Sequence, residues 1–209
     1  MRLRLLVTGL LASGLLVSGP FVSGLLAPSH LPFTSRAVVA SATSAAPSSA
    51  DLHSLSSAVA RDVLLGVPTL STFFPEGPYV AMKTGLLSSP AGDWTHRLWA
   101  FYQLDVASAH HLLALHAPLR YAGYRARLAS VAWIPAGACE NLIGYWHLPG
   151  VRLEFRGPRG VVSFLIASLI SWRGHWFVVH LGPNPRTHDA GEVDAPLLSV
   201  GSPGPAGGC

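Results

Sequence analysis

The sequence predicts an α+β protein in which a curved antiparallel sheet of about five to six strands packs against N-terminal and central helices. Three observations lead to this fold class. Tyr121–Gly182 reads as a run of antiparallel strands that ends in a hairpin. Asp51–Gly66 carries apolar residues at helical spacing. Val106–His116 has the pattern of a second helix, and we expect it to cover the sheet.

The hairpin Val161–Gly182 is the best-defined element of the predicted sheet. Val161–Trp172 is rich in β-branched and aromatic residues and contains no Pro, Gly or charged residue. Arg173-Gly174 follows it as a turn signal. A two-residue turn there sets a register in which the facing pairs are Trp172 with His175, Ile170 with Phe177, and Ser168 with Val179.

Side-chain alternation then divides the hairpin into two largely apolar faces, so we expect both faces to be covered. The first face holds Phe164, Ile166, Ile170, Trp172, Phe177, Val179 and Leu181. The second face holds Ser163, Leu165, Ala167, Leu169, Ser171, Trp176, Val178 and His180. The small and polar residues of the second face leave room beside Trp176 and His180.

The segment before the second helix has two interpretations. Its composition favours a strand at His96–Leu104, after which Asp105 caps the helix. Alternatively, Asp93 caps one helix that runs through to Ala117. We prefer the strand.

Loops and further strands complete the predicted domain. Val67–Gly92 is expected to be a long irregular connection or an ordered loop packed on the domain, because of its prolines and glycines. Tyr121–Ile134 is predicted as one strand. Leu142–His147 and Val151–Arg156 are predicted as two more, joined around Pro149-Gly150.

The domain organisation follows from composition. We assign a signal peptide to 1–42, a flexible linker to 43–50, a single α+β domain to 51–182, and a Pro/Gly-rich tail to 183–209. The composition of the tail predicts that it does not stay ordered by itself.

A positive start, the uncharged run Leu5–Ala27 and the small residues Ala40-Ser41-Ala42 are typical of a cleaved secretory signal. We therefore expect a secreted or extracytoplasmic protein. The alternative is an uncleaved anchor, because Leu5–Ala27 is also long enough to span a bilayer, and only then would the protein meet the membrane.

Removal of the signal peptide also changes the charge balance. The full chain has 14 basic and 10 acidic residues, and 3 of the basic residues lie within 1–42, which leaves 11 basic residues. A nearly neutral chain without a basic, aromatic-rich patch does not predict a nucleic-acid partner. The expected partner is a small molecule or an envelope protein.

Cys139 and Cys209 are the only cysteines of the sequence. In an exported protein they predict one disulfide, which would tie the tail to the loop around Cys139. An unpaired or intermolecular cysteine is the second interpretation. The third makes Cys139 a nucleophile with His147 or His180 as its base.

The sequence predicts neither a metal site nor a cofactor. Ten histidines are present, but His175 and His180 are expected on opposite faces of one strand, and the helix has no pair at i, i+4. Phosphate-binding and hydrolase motifs are absent from the sequence.

One candidate pocket remains, formed by Trp176 and His180 with Glu140 or Asp105. A histidine in an apolar cleft beside a carboxylate can serve as a general base with a shifted pKa. The alternative, which we prefer, makes Trp176 a core residue and gives His180 a backbone hydrogen bond.

The residues Val161–Gly182, with Ser171-Trp-Arg-Gly-His-Trp-Phe-Val-Val-His-Leu181, resemble the closing hairpin of the cone-shaped fold of nuclear-transport-factor-two-like and cystatin-like proteins. The resemblance implies helices that pack on a curved antiparallel sheet and enclose a pocket. Gly137–Leu153 is similar to segments of exported actinobacterial proteins, which implies a lineage and no activity.

The function predicted from these observations is non-catalytic binding of a ligand or partner by a secreted or envelope protein. The alternative is a small pocket enzyme, a hydrolase or isomerase that uses His180. A third interpretation is a structural envelope protein whose apolar surface meets a partner.

Overall fold

The structure is a computed structural model, and it describes residues 45–186 and 188–205. The expected signal peptide and Cys209 lie outside the described residues. Within this part of the chain, no helix has the length and apolar character needed to cross a membrane.

Helices occupy the first half of the described chain. They are α1 (Ser49–Leu65), α2 (Glu76–Lys83), the short α3 (Pro90–Asp93) and α4 (Ala100–Leu115). A π-helical segment, Trp94–Trp99, joins α3 to α4. The expected helix at 51–66 is confirmed. Ser48 caps its start by accepting a hydrogen bond from Asp51 N at 3.1 Å, and Gly66 ends it with a φ of 68°.

The second half forms a curved, six-stranded antiparallel sheet, which confirms the predicted fold class. Its strands are β1 (Arg120–Arg125), β2 (Ala132–Ile134), β3 (Tyr145–Gly157), β4 (Gly160–Trp172), β5 (His175–His180) and β6 (Asp194–Leu197). The long strands β3 and β4 form the centre. β1 and β2 share the other edge of β3, whereas β5 and β6 share the other edge of β4.

The strand predicted at His96–Leu104 is wrong, because this segment is helical. The buried residues recur at intervals of three or four, as they do on one face of a helix, and they are Trp94, Leu98, Tyr102, Val106, Ala109 and Leu113. This longer periodicity outweighs the local β-propensity of the aromatic residues. Asp105 therefore lies inside α4 and does not cap it, and the alternative helix starting near Asp93 was the better interpretation.

Two further predictions about the strands need correction. Tyr121–Ile134 is not one strand, because a turn of 3₁₀-helix at Leu128–Ser130 separates β1 from β2. Conversely, β3 runs without interruption through Pro149-Gly150. Gly150 has a φ of 61°, a value that glycine adopts at no steric cost.

The segment Val67–Gly92 is ordered and packs on the domain, but it contains a helix that was not predicted, α2, and a strand-like stretch at Thr72–Phe74. Phe74 N donates to Val178 O, and Val178 N donates to Thr72 O, both at 2.9 Å. Phe73 stacks on Tyr102 among the helices. Phe74 instead packs its ring edge-on against Phe177. This short stretch therefore separates the helical core from the opposite face of the hairpin.

The described part of the tail, predicted not to stay ordered by itself, is held in place by contacts with the sheet. β6 pairs with β4, and Gly204 N donates to Gly150 O at 2.7 Å. The buried Arg152 side chain donates to Ser202 O at 2.6 Å and to Ala195 O at 3.1 Å. Backbone pairing and one buried arginine thus fix a segment whose composition offers little apolar surface.

Candidate functional site

A cavity of about 460 Å³ lies between the α2 region and the sheet. Its size is within the range of small-molecule pockets. Its apolar wall consists of Phe74, Met82, Leu98, Leu165, Ile170 and Val179. Polar side chains also line the cavity. Lys83 and Arg97 come from the helices, Asn141 precedes β3, His147 lies within β3, and Ser168 and His180 belong to the hairpin.

A β-bulge brings His180 into this cavity. The turn at Arg173-Gly174 is confirmed, and its two residues have φ values of 50° and 81°, as a tight two-residue hairpin turn requires. The register then shifts between Ser168 and Leu169, so that Ser168 faces His180 and not Val179. One extra residue in β5 therefore turns His180 toward the Ser168 face.

This bulge corrects the predicted hairpin faces. Ser171 with Trp176 and Leu169 with Val178 form one face, whereas Ile170 with Phe177 and Ser168 with His180 form the other. Trp176 and His180 consequently lie on opposite faces of the sheet. Trp172 is half-buried rather than a full core residue, while Trp176 is 3% exposed.

The His180 ring is kept neutral by its surroundings. Its pKa is lowered to about 4, mainly by burial, and the positive charges of Arg97 and Arg186 and the nearby His147 contribute in the same direction. The ring makes no hydrogen bond to any residue in the described part of the chain. At neutral pH it can offer one N–H donor and one nitrogen acceptor to a molecule in the cavity.

His147 and Ser168 form a polar pair on the same wall. His147 Nε2 lies 2.8 Å from Ser168 Oγ, and His147 is 7% exposed. The two residues come from the neighbouring strands β3 and β4, where Ser168 pairs with Pro149 and His147 pairs with Ile170. The wall therefore presents a serine hydroxyl between two imidazole rings.

The rim of the cavity carries two cationic side chains. Arg97 donates to both carboxylate oxygens of Asp93, at 2.6 and 2.7 Å. This hydrogen-bonded contact lowers the pKa of Asp93. Tyr79 donates its hydroxyl to the same carboxylate. Lys83 is half-buried, and burial lowers its pKa.

The loop at Gly137–Asn141 forms another part of the wall. Cys139 and Glu140 have φ values of 54° and 55°, a left-handed conformation that costs non-glycine residues about 1–2 kcal/mol each. Two contacts hold the loop. Lys83 Nζ donates to Glu140 O at 2.9 Å, and Asn141 Nδ2 donates to Cys139 O at 3.0 Å.

The tail forms a further part of the cavity wall. Gly204 and Pro205 line it together with Asp194 at the start of β6. Gly150 and Gly204 approach so closely that a Cβ atom built on Gly150 would lie 2.5 Å from Gly204 Cα. Burial raises the pKa of Asp194, whereas Arg152 acts in the opposite direction.

The predicted pocket residues separate in the structure. His180 lines the cavity, and the backbone hydrogen bond that the preferred interpretation gave its ring is absent from the described part of the chain. Trp176 is buried on the opposite face, and its backbone N donates to Asp51 Oδ2 at 2.6 Å. Asp105 lies 1% exposed behind the sheet, where it binds Arg186 and the backbone of Gly182.

Glu140 is exposed at the loop, and only its backbone oxygen accepts the Lys83 hydrogen bond. None of the carboxylates in the described chain hydrogen-bonds His180. The arrangement thus does not provide the carboxylate-assisted base that the sequence suggested.

Cys139 lines the cavity and is not a free thiol. Cys209 lies outside the described residues, so the Cys139–Cys209 disulfide stays a prediction. Thiol titration of the unfolded, unreduced protein would measure it, and two reactive thiols per chain would contradict the bond. A nucleophilic role for Cys139 would require a thiol that this structure does not provide.

Sequence reasoning missed the rim and the serine–histidine pair. The one sequence signal for the rim was that Lys83 is the only lysine of the chain. Ser168 and His147 are 21 positions apart and meet only through strand register, for which no local motif exists. Within the described residues, no three metal-ligating side chains form a group that could hold an ion.

Comparisons with known proteins give no match to a protein-family model, a curated protein or a solved structure.

Proposed function

We propose that this protein is a non-catalytic binding domain, which takes up a small and largely apolar molecule in the cavity beside His180. The observation that carries the proposal is the cavity itself, an apolar enclosure of about 460 Å³ that contains a few converging polar groups. Neutral His180 would give the ligand its orientation through a hydrogen bond.

Two expectations from the sequence support this proposal. Helices and a curved sheet enclose the pocket in the cone-shaped proteins that Val161–Gly182 resembles. The N-terminal pattern supports export, so the ligand would be met outside the cytoplasm. Material from the culture fluid that begins near Thr43 would support the export part of the proposal, and intact Met1 in a membrane fraction would contradict it.

A neutral apolar dye tests the binding function. N-phenyl-1-naphthylamine should bind the wild-type protein saturably, with a rise in fluorescence. Ala167 lines the cavity, so the larger side chain of Ala167→Phe should fill it and lower the affinity for the dye by about tenfold or more. The matched control is Ala122→Phe, because Ala122 is exposed on β1. Equal affinity of the wild type and Ala167→Phe would overturn the proposal.

The 2.8 Å contact between His147 Nε2 and Ser168 Oγ favours a second candidate, a small hydrolase. A serine beside an imidazole base has two of the groups that acyl transfer needs. If this candidate holds, p-nitrophenyl esters are hydrolysed with saturation, and Ser168→Ala lowers kcat by about a thousandfold or more. Unsaturable hydrolysis that Ser168→Ala leaves unchanged would exclude it and leave the binding function.

A further inference from the structure

The charges around the cavity indicate what kind of ligand it takes, provided that the proposed binding function holds. Lys83 is the relevant group. Its ammonium donates to the backbone oxygen of Glu140, and no Asp or Glu oxygen of the described chain lies within 4.0 Å of it. Burial lowers its pKa, whereas the more distant carboxylates of Glu140 and Asp93 act in the opposite direction. An anionic group of a ligand would supply the missing partner.

Arg97 adds donors at the same rim. The Nε and Nη2 atoms of Arg97 donate hydrogen bonds to Asp93, and the Tyr79 hydroxyl lies 3.3 Å from Nη2. Nη1 makes no hydrogen bond to any described residue, so both of its N–H groups are available. Asp93 neutralises the charge of Arg97 and also fixes the orientation of the guanidinium group. The donors of Arg97 are thereby positioned before a ligand arrives, which reduces the entropy lost on binding.

The rest of the cavity favours a ligand that carries a single negative charge. Met82, Leu98, Ile170 and Val179 form an apolar wall next to the cationic rim. Asp194 also lines the cavity, and its carboxylate would repel a second anionic group. A ligand with one anionic end and an apolar body therefore fits, whereas a dianion does not.

We propose that the cavity binds an amphipathic monocarboxylate, whose carboxylate contacts Lys83 and Arg97 and whose alkyl body lies along the apolar wall. His180 and the Ser168 hydroxyl then line the middle of the ligand and accept polar substituents there. Charge-assisted hydrogen bonds are about twice as strong as neutral ones, so the carboxylate gives the head group its selectivity.

Head-group selectivity tests the proposal. Decanoate, methyl decanoate and decylamine share one alkyl chain, and each would be titrated against the bound neutral dye at pH 8. Decanoate should bind at least about tenfold more tightly than the ester, and decylamine should bind most weakly. Decanedioate should bind more weakly than decanoate, and Asp194→Asn should reduce that difference.

Variants at the rim identify the group responsible. Lys83→Met should weaken the binding of decanoate by about tenfold or more and leave the binding of methyl decanoate unchanged. Lys83→Arg should retain the preference for decanoate over the ester. Arg61→Met is the matched control, because Arg61 is an exposed cation on α1 outside the cavity. If Lys83→Met does not fold, Arg97→Gln serves as the second variant and should lower the same preference.

The possible results separate the two proposals. If the dye binds and the ester competes as well as decanoate, the binding function stands and the monocarboxylate proposal is wrong. If Lys83→Met weakens the binding of the ester and of decanoate equally, Lys83 only supports the loop at Glu140, and the monocarboxylate proposal is again wrong. If the dye and all three amphiphiles fail to bind, the binding function itself is wrong.

Discussion

Buried polar groups have different numbers of hydrogen-bond partners in the helical layer, formed by α1 to α4, and in the cavity. Asp62 is 1% exposed, and one of its oxygens accepts hydrogen bonds from Thr69, Thr72 and Tyr102. Asp105 is equally buried and accepts from Arg186 and two backbone amides. Both carboxylates are hydrogen-bonded to several partners from their own chain, as buried charges usually are.

The cavity side shows the opposite pattern. The ring of His180 makes no hydrogen bond within the described chain, and Lys83 has only a backbone oxygen. Yet Asp105 binds the amide of Gly182, just two residues beyond His180. A saturated site and an open site thus lie on adjacent positions of one segment. The difference indicates that the carboxylates of the helical layer stabilise the fold, whereas the proposed binding function assigns the cavity groups to a ligand.

The largest effect is expected at Asp105. Asp105→Ala leaves the Arg186 guanidinium buried without its carboxylate and removes the acceptor of two backbone N–H groups. Loss of one partner of a buried ion pair costs about 3–5 kcal/mol. Urea denaturation should show a loss of this size, and the exposed Asp189→Ala should change little. A loss below about 1 kcal/mol for Asp105→Ala would contradict a saturated structural role.

The two tryptophans of the hairpin sharpen the comparison between its faces. Trp176 is buried on the helical side, so Trp176→Ala should lower the free energy of unfolding by about 3–5 kcal/mol. Trp172 is half-buried on the cavity side, where it packs against Phe74, so Trp172→Ala should cost about half as much. Thermal and urea unfolding measure both values. Equal losses would contradict the assigned faces.

Sequence reasoning predicts the fold class, α1 and the hairpin turn because each depends on local pattern. The apolar spacing of α1 and the Arg173-Gly174 signal need no distant partner. The cavity is less accessible to such reasoning. The bulge that reorients His180 changes register by one residue, and one residue decides which face a side chain occupies.

Other errors have the same origin in long-range contacts. Trp94–Leu104 contains strand-like residues, but packing against α1 and Phe73 selects the helix. The composition of the tail likewise gave no sign of β6, which forms only because β4 offers it edge positions for pairing. Propensity is a weak guide wherever tertiary pairing offers a backbone its hydrogen bonds.

The smallest effect, and the most direct test of the open site, is the pH dependence due to His180. Its pKa is lowered to about 4 in the folded protein, against 6.5 for an ordinary histidine. The unfolded chain therefore takes up a proton between pH 6.5 and 4 that the folded chain does not, and stability falls as the pH is lowered through this window. One pKa unit corresponds to about 1.4 kcal/mol, so the loss is at most about 3 kcal/mol, reduced by solvent screening at a half-buried ring.

A difference between two proteins isolates this effect, because burial raises the pKa values of Asp105 and Asp194 and so opposes the trend. Arg97, Arg186 and His147 face the ring and stay in both proteins. The unfolding free energy of the wild type, measured against His180→Gln from pH 7 to pH 4, should fall relative to the variant. His111→Gln is the matched control for the loss of an imidazole away from the cavity, because His111 is exposed on α4. A flat curve for His180→Gln would show that the ring is solvated and that the cavity does not hold it neutral.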